Sequence, residues 1–176
     1  QLEAADREVD RLAEIVDRLL VMAKQIEEGQ PTSVDLGDAV TRAVARWEDR
    51  AAQRGASLLA RGVGGDAEGN PTDIDQILDN LLDNAIAYAP GEIVLETAQE
   101  DGHLVVAVQD RGPGIQAEER ERVTDRFYRG RGSPTGGSGL GLAIARELAE
   151  KWGGSLEVRS PEIGTRVELR LRSTRH

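Results

Sequence analysis

The spacing of apolar residues changes character several times along the chain. Leu2, Ala5, Val9, Leu12, Val16, Leu19, Ala23 and Ile26 advance by alternating steps of three and four, a heptad seam that predicts one long helix. A seam this narrow wants a partner helix, and no second heptad helix follows. Half of a helical hairpin that dimerises into a bundle accounts for it better than a helix folded onto its own domain. Residues 28–33 interrupt the pattern, with Gly29 a cap and Pro31 a stop, so the domain boundary is expected there, between residues 1–29 and 31–176. Asp35 then caps a helix whose apolar face is Leu36, Val40, Ala43, Val44 and Trp47. A short apolar stretch at 57–61 fits a strand, and residues 61–69 read as a glycine-rich loop. Pro71-Thr72 opens a third helix on which Ile74, Ile77, Leu78, Leu81, Leu82, Ala85 and Ile86 form a wide buried face. Residues 92–98 and 103–109 predict neighbouring strands turned by Glu100-Asp101-Gly102. Residues 110–139 are rich in Gly, Arg and Pro and hold one short helix. A helix over 140–152 ends at Gly153-Gly154, and 155–160 with 165–171 form a terminal hairpin. Helices interleave with antiparallel hairpins without a regular βαβ rhythm, which predicts a two-layer α+β domain.

Composition narrows the function classes. The chain has 176 residues, and its 22 Lys+Arg against 32 Asp+Glu leave a net charge of -10. An acidic surface repels the phosphate backbone, so general nucleic-acid binding is not expected. No Cys is present, which removes disulfides, thiolate metal sites and cysteine nucleophiles. Apolar runs fall far short of the roughly 20 residues that span a bilayer, so no membrane contact is expected of this stretch. It opens on Gln1 and reads as a piece of a longer protein.

Four features carry candidate chemistry. Asn80 and Asn84 lie one turn apart on the flank of the buried face, although Asn is an indifferent helix former. Their amide oxygens suit Mg²⁺, and two solvated Asn remain the bland alternative. The strand 105–109 ends in Asp110-x-Gly112-x-Gly114, a carboxylate followed by backbone that a ligand can approach closely. A tight turn is the alternative; the nicotinamide-dinucleotide and methyltransferase loops that share this look need a second, acid-bearing parallel strand, which is missing. Gly136-Gly137-Ser138-Gly139-Leu140-Gly141-Leu142 opens directly into a helix, which makes an anion site or a plain linker. Between the glycine clusters, residues 120–131 hold five Arg against Glu121 and Asp125, a basic segment placed to meet a polyphosphate.

Asn80-Leu81-Leu82-Asp83-Asn84-Ala85, Asp110-x-Gly-x-Gly, Arg126-Phe127-Tyr128-Arg129, Gly137-x-Gly139-Leu140-Gly141-Leu142 and Gly164-Thr165 follow in one order. Together they resemble the N, first glycine, F, second glycine and third glycine boxes of sensor histidine kinases, over about residues 31–176. Residues 2–27 resemble the second helix of that family's dimerisation and phosphotransfer hairpin. The resemblance implies the Bergerat ATP-binding fold, an α+β two-layer sandwich with a mixed sheet and helices on one face. It implies ATP and Mg²⁺ as ligands. Asn84 would coordinate the metal, with Asn80 supporting it and the phosphates. Asp110 would accept from the adenine amine, Thr165 would assist through water, and Tyr88 would stack near the base. Gly112, Gly114 and Ile115 would shape that pocket. Phe127 and Arg129 belong to the lid, Arg129 touching phosphate, and Gly137, Gly139, Leu140, Gly141 and Leu142 would cradle the triphosphate.

The implied activity is phosphoryl transfer from ATP to a His on the dimerisation helix, for relay to an Asp of a response-regulator receiver domain. The implied partners are that receiver domain, the dimerisation helix and a second subunit; the implied setting is the cytoplasmic part of a membrane-anchored sensor. ATP-hydrolysing and serine-kinase relatives carry Glu as general base where this chain has Asn80. An amide takes no proton near pH 7, which suits an imidazole acceptor that needs little activation. Two departures stand out. Ala87 replaces a basic residue common before the N-box Tyr, and no His lies in an acceptor context, since His103 begins a strand and His176 ends the chain. This stretch alone is therefore expected to bind nucleotide without phosphorylating itself. The alternatives are a non-catalytic dimerisation and docking module, or an ATPase or serine kinase of the same superfamily.

Overall fold

The computed structural model describes Val16, residues 30–128 and residues 139–174. The heptad seam apart from Val16, the Gly29 side of the expected boundary, and Arg129, Gly137 and His176 lie outside the described residues.

Asp35 closes a short strand, β1 (Thr32–Asp35), and caps α1 (Leu36–Gln53) by accepting the Asp38 amide at 2.9 Å. The cap satisfies one of the amides a helix start leaves unpaired. After β2 (Ser57–Gly62) the expected loop contains a second short strand, β3 (Asp66–Gly69), paired antiparallel with β1 as a separate two-stranded sheet. Ala67 is its one buried hydrophobic residue, too little alternation to reveal a strand. Asn70 caps α2 (Pro71–Tyr88), its side chain accepting from Thr72 at 2.9 Å and Asp73 at 3.4 Å. Pro71 sits where a missing N–H costs nothing.

Strands β4 (Glu92–Glu100) and β5 (His103–Gln109) form the expected hairpin. Its two linking residues, Asp101 and Gly102, both have positive φ (47° and 76°), which matches a right-twisted two-residue turn. The expected helix within 110–139 is, among the described residues, a single 3-10 turn, Ala117–Glu119. Then come α3 (Gly141–Lys151), β6 (Ser155–Arg159) and β7 (Arg166–Arg172).

The five-stranded sheet has the order β2-β4-β5-β7-β6, with β2 parallel to β4 and every other neighbour antiparallel. Alternate sheet residues (Ile93 and Leu95, Leu104 and Val106, Leu169 and Leu171) join the apolar stripes of the three helices in one core. The other parity carries a polar lattice instead. Arg166 bonds Glu168 at 2.7 Å and Glu96 at 3.0 Å, and Arg159 reaches Glu168 at 3.3 Å.

Helices α1 and α2 run parallel. Arg42, Arg46 and Arg50 pair in sequence with Asp75, Asp79 and Asp83, and the Trp47 indole N–H donates to Asp79 at 2.7 Å. Helix α3 runs antiparallel to α2. Its C-terminal Lys151 and Trp152 meet Asp73 near the start of α2, and its first residue, Gly141, lies beside Asn80.

Candidate active site

Asn80 and Asn84 are half-buried on the side of α2 that faces α3. A Cβ added to Gly141 would stand 3.7 Å from Asn80 Oδ1, so the carboxamide looks at the first turn of α3. Asn80 Nδ2 is buried and, among the described residues, has no hydrogen-bond partner. Such a group is costly, and in a native structure it calls for a ligand, water or ion. The facing helix start is equally unfinished. Leu140 supplies no side-chain cap and the first turn holds no acidic residue, so the leading N–H groups and the positive end of α3 are open to an anion. Leu140 and Leu142 bury their side chains, which leaves their amides as the groups on offer.

At the other end of α2, β5 delivers Asp110, only 4% exposed. Its Oδ1 accepts the amides of Gly112 at 2.8 Å and Thr165 at 3.0 Å, while its own amide donates to the Thr165 carbonyl at 2.9 Å. Among the described residues Oδ2 receives no hydrogen bond. Burial raises the Asp110 pKa above the ordinary carboxylate value, against the lowering effect of the two amides. Three glycines let the surrounding loops close up. A Cβ on Gly112 would lie 2.7 Å from the Ala89 Cβ; one on Gly114 (φ 74°) would collide with Ser160 Oγ, and one on Gly164 (φ 83°) with the Asp110 carbonyl.

The structure thus gathers Asp110, Gly112, Gly114, Ile115 and Thr165, with Tyr88, 40% exposed, entering through its backbone, 3.6 Å from the Gly112 Cβ position. A residue missed in the sequence, Ser160, stitches them. Its hydroxyl accepts the Ile115 amide at 3.1 Å and donates to the Gly164 carbonyl at 3.0 Å. The only sequence signal was a Ser-Pro pair at a strand end. From Asn80 to Tyr88, α2 advances about 12 Å and so spans the two ends of the site.

Phe127, at φ 63°, donates its amide to the Gly139 carbonyl at 3.1 Å, so the chain leaves the site and returns to it side by side. Tyr128 OH donates to Glu119 at 3.0 Å beneath the Arg122 guanidinium, and Arg126 pairs with Glu147 at 2.7 Å. Ala87 is exposed, and His103 Nδ1 contacts the Asp101 carbonyl in the β4–β5 turn. No cluster of three His, Cys, Asp or Glu suited to a metal occurs among the described residues.

An acceptor beside the C-terminal end of α2 and donors near its middle, facing the start of α3, suit a ligand with an amine-bearing end and an anionic end. The family model "Histidine kinase-, DNA gyrase B-, and HSP90-like ATPase" matches residues 69–175. The chain is 37% identical to the sensor-like histidine kinase SenX3 of Mycobacterium tuberculosis (strain ATCC 25618 / H37Rv), over 93% of this chain and 42% of that protein. It is 34% identical to the histidine-protein kinase/phosphatase MprB of Mycolicibacterium smegmatis (strain ATCC 700084 / mc(2)155), over 86% and 31% respectively. The solved structure of a mycobacterial sensor histidine kinase MprB superposes with a TM-score of 0.73 at 30% identity, covering 81% of this chain and 97% of that one. The fold is that of histidine-kinase catalytic domains, and the chain belongs to the histidine kinase-, DNA gyrase B- and HSP90-like ATPase family. It spans well under half the length of the curated sensor kinases it matches.

Proposed function

We propose that this chain binds Mg²⁺-ATP across α2 and α3, as the catalytic domain of a sensor histidine kinase. The observation that carries the reading is the buried, unpartnered Asn80 amide nitrogen facing the uncapped glycine start of α3. Both are donors, and a polyphosphate supplies the acceptors they lack. At the far end, Asp110 Oδ2 accepts from the adenine amine while Oδ1 stays occupied by backbone. Gly112, Gly114 and Gly164 fit that role because side chains there would fill the space or break the loop. Thr165, Tyr88 and Ile115 border the base.

Asn84 holds Mg²⁺. When bound, the ion would supply charge neutralisation on the transferring group. Arg129 touches phosphate, Phe127 belongs to the lid, and Gly137, Gly139, Gly141 and the Leu140 and Leu142 amides cradle the triphosphate. Asn80 offers no general base, which favours a kinase over a hydrolase. In the full-length protein a histidine on the first helix of a dimerisation hairpin, of which residues 1–29 form part of the second, receives the phosphoryl group for relay to a response-regulator Asp. Residues 1–176 by themselves bind nucleotide and do not undergo autophosphorylation. They occupy the cytoplasmic side of a membrane-anchored sensor; no described helix is long and apolar enough to cross a membrane.

Calorimetric titration with β,γ-imido-ATP, with and without Mg²⁺, tests the reading. Binding that needs Mg²⁺, weakens in Asn84→Ala and weakens for every adenine nucleotide in Asp110→Asn is expected. No binding at millimolar nucleotide overturns it in favour of a docking module.

A further inference from the structure

Asp73 is a buried carboxylate with no part in the nucleotide site. It lies in the first turn of α2, 5% exposed. Its Oδ2 accepts the Lys151 ammonium at 2.9 Å and the Trp152 indole N–H at 2.8 Å. These two donors are the last residue of α3 and its C-cap. Lys151 also lies 5.0 Å from the Trp152 ring centroid, so the charge, the indole and the carboxylate form one closed group.

The position of this group matters more than its strength. Asn80 is seven residues beyond Asp73, about 10 Å along α2, and Gly141 is ten residues before Lys151, about 15 Å along α3. The two helices are therefore joined at one end by directional bonds and meet at the other across Asn80 and Gly141. At that second end Gly141 offers no side chain, Leu140 no cap, and the first turn of α3 no acid. Against α2 the helix start is held by apolar packing of Leu140 and Leu142, which is non-directional, while the Phe127–Gly139 backbone bond just before it ties it to the 117–128 segment. Among the described residues, Arg146 ties α3 to Thr124 and Asp125, and Glu147 ties it to Arg126, all in the 117–128 segment. The field of a helix start falls off within its first turn, so a small axial slip of α3 takes its amides away from an anion held by Asn80.

We infer that Asp73 is a positioning residue for the anionic part of the ligand: it fixes the axial register of α3 against α2 and thereby the gap between Asn80 and the leading amides of α3. The inference rests on the nucleotide reading above. Its signature is selective. The Asp110 end, built from β5, the β6–β7 turn and the C-terminus of α2, shows no hydrogen bond to α3 among the described residues, so the phosphate-dependent share of affinity is the share expected to respond.

The test compares β,γ-imido-ATP with adenosine on wild type, Asp73→Asn and Trp152→Phe, at a temperature where all three are folded, and follows amide exchange of residues 141–144 without ligand. Asp73→Asn keeps an oxygen for Trp152 but loses the charge that holds Lys151. It is expected to weaken the ATP analogue at least fivefold, leave adenosine within twofold, and speed exchange in the first turn of α3. Trp152→Phe gives a two- to threefold change of the same kind, and carries the test if Asp73→Asn does not fold. Equal losses for both ligands, or a lower melting temperature with unchanged affinity for the analogue, overturn the positioning role. A wild type that binds neither ligand overturns the nucleotide reading and this role with it; a wild type that binds both, with variants that match it, overturns this role alone.

Discussion

Around Asp110 the chain supplies both halves of its hydrogen bonds: two amides from different loops converge on Oδ1, and Ser160 ties the same loops a second time. Around Asn80 it supplies one half, with Nδ2 unpartnered and the start of α3 uncapped. The Asp110 end is thus held in shape by folding itself, whereas the Asn80 end carries unmet polar demand that folding leaves in place. The contrast teaches where stability and binding separate. Loss of the backbone-bonded oxygen at the first end disturbs both, and loss of the donor at the second end disturbs binding alone.

The largest effect is expected from Asp110→Ala, which strands the Gly112 and Thr165 amides; at about 1–3 kcal/mol for each buried unpaired group, urea unfolding should show a loss of about 2–6 kcal/mol. Asp110→Asn retains an oxygen for both amides and should stay within about 1 kcal/mol of wild type by the same measurement. Its NH₂ replaces Oδ2, so adenine-nucleotide affinity should still fall at least tenfold, about 1.4 kcal/mol. An Asn variant as unstable as the Ala variant would break the comparison at its first end.

Asn80→Ala sharpens the second end. Removing a buried donor that has no partner should leave stability within about 0.5 kcal/mol of wild type, or raise it, while affinity for β,γ-imido-ATP drops about tenfold. A loss of several kcal/mol in stability would mean that folding already satisfies this amide.

A smaller effect lies in pH. Burial raises the Asp110 pKa in the folded chain, so the native state holds that proton more tightly than the unfolded state. The associated stability is complete below the ordinary carboxylate value of about 3.9 and is lost as pH rises through the folded value. Urea midpoints followed from pH 3.5 upward should therefore decline more in wild type than in Asp110→Asn across that window. The smallest effect is expected away from both ends: Arg42→Ala removes an exposed ion pair with Asp75 and should cost no more than about 0.5 kcal/mol.

Helices α1, α2 and α3 and both hairpins were legible because each rests on a periodicity inside one segment. Asp110 and the glycines near it were legible for the same reason, as a strand end running into small residues. What the sequence hid is non-local. The β1–β3 pair has too few apolar residues to show a period, and nothing in β2 announces a parallel partner in β4. The bond from Thr165 to Asp110 joins residues 55 apart, and Asp73 reads as an ordinary first-turn acid until α3 is docked on it. One clue does sit in the sequence. Arg42, Arg46 and Arg50 stack like charges at every fourth position of α1, as Asp75, Asp79 and Asp83 do on α2. Each row repels itself in an isolated helix, so two such rows of opposite sign are evidence for one another.

The bond between the Phe127 amide and the Gly139 carbonyl also bears on how such a chain can vary by insertion and deletion. Phe127 and Gly139 are neighbouring points of the backbone, so the number of residues between them is uncoupled from the spacing of the elements on either side. Doubling a loop that starts and finishes in one place costs only about 0.6 kcal/mol in closure entropy. That stretch is where length can drift between descendants of a common ancestor, while α2, α3 and the sheet keep their places.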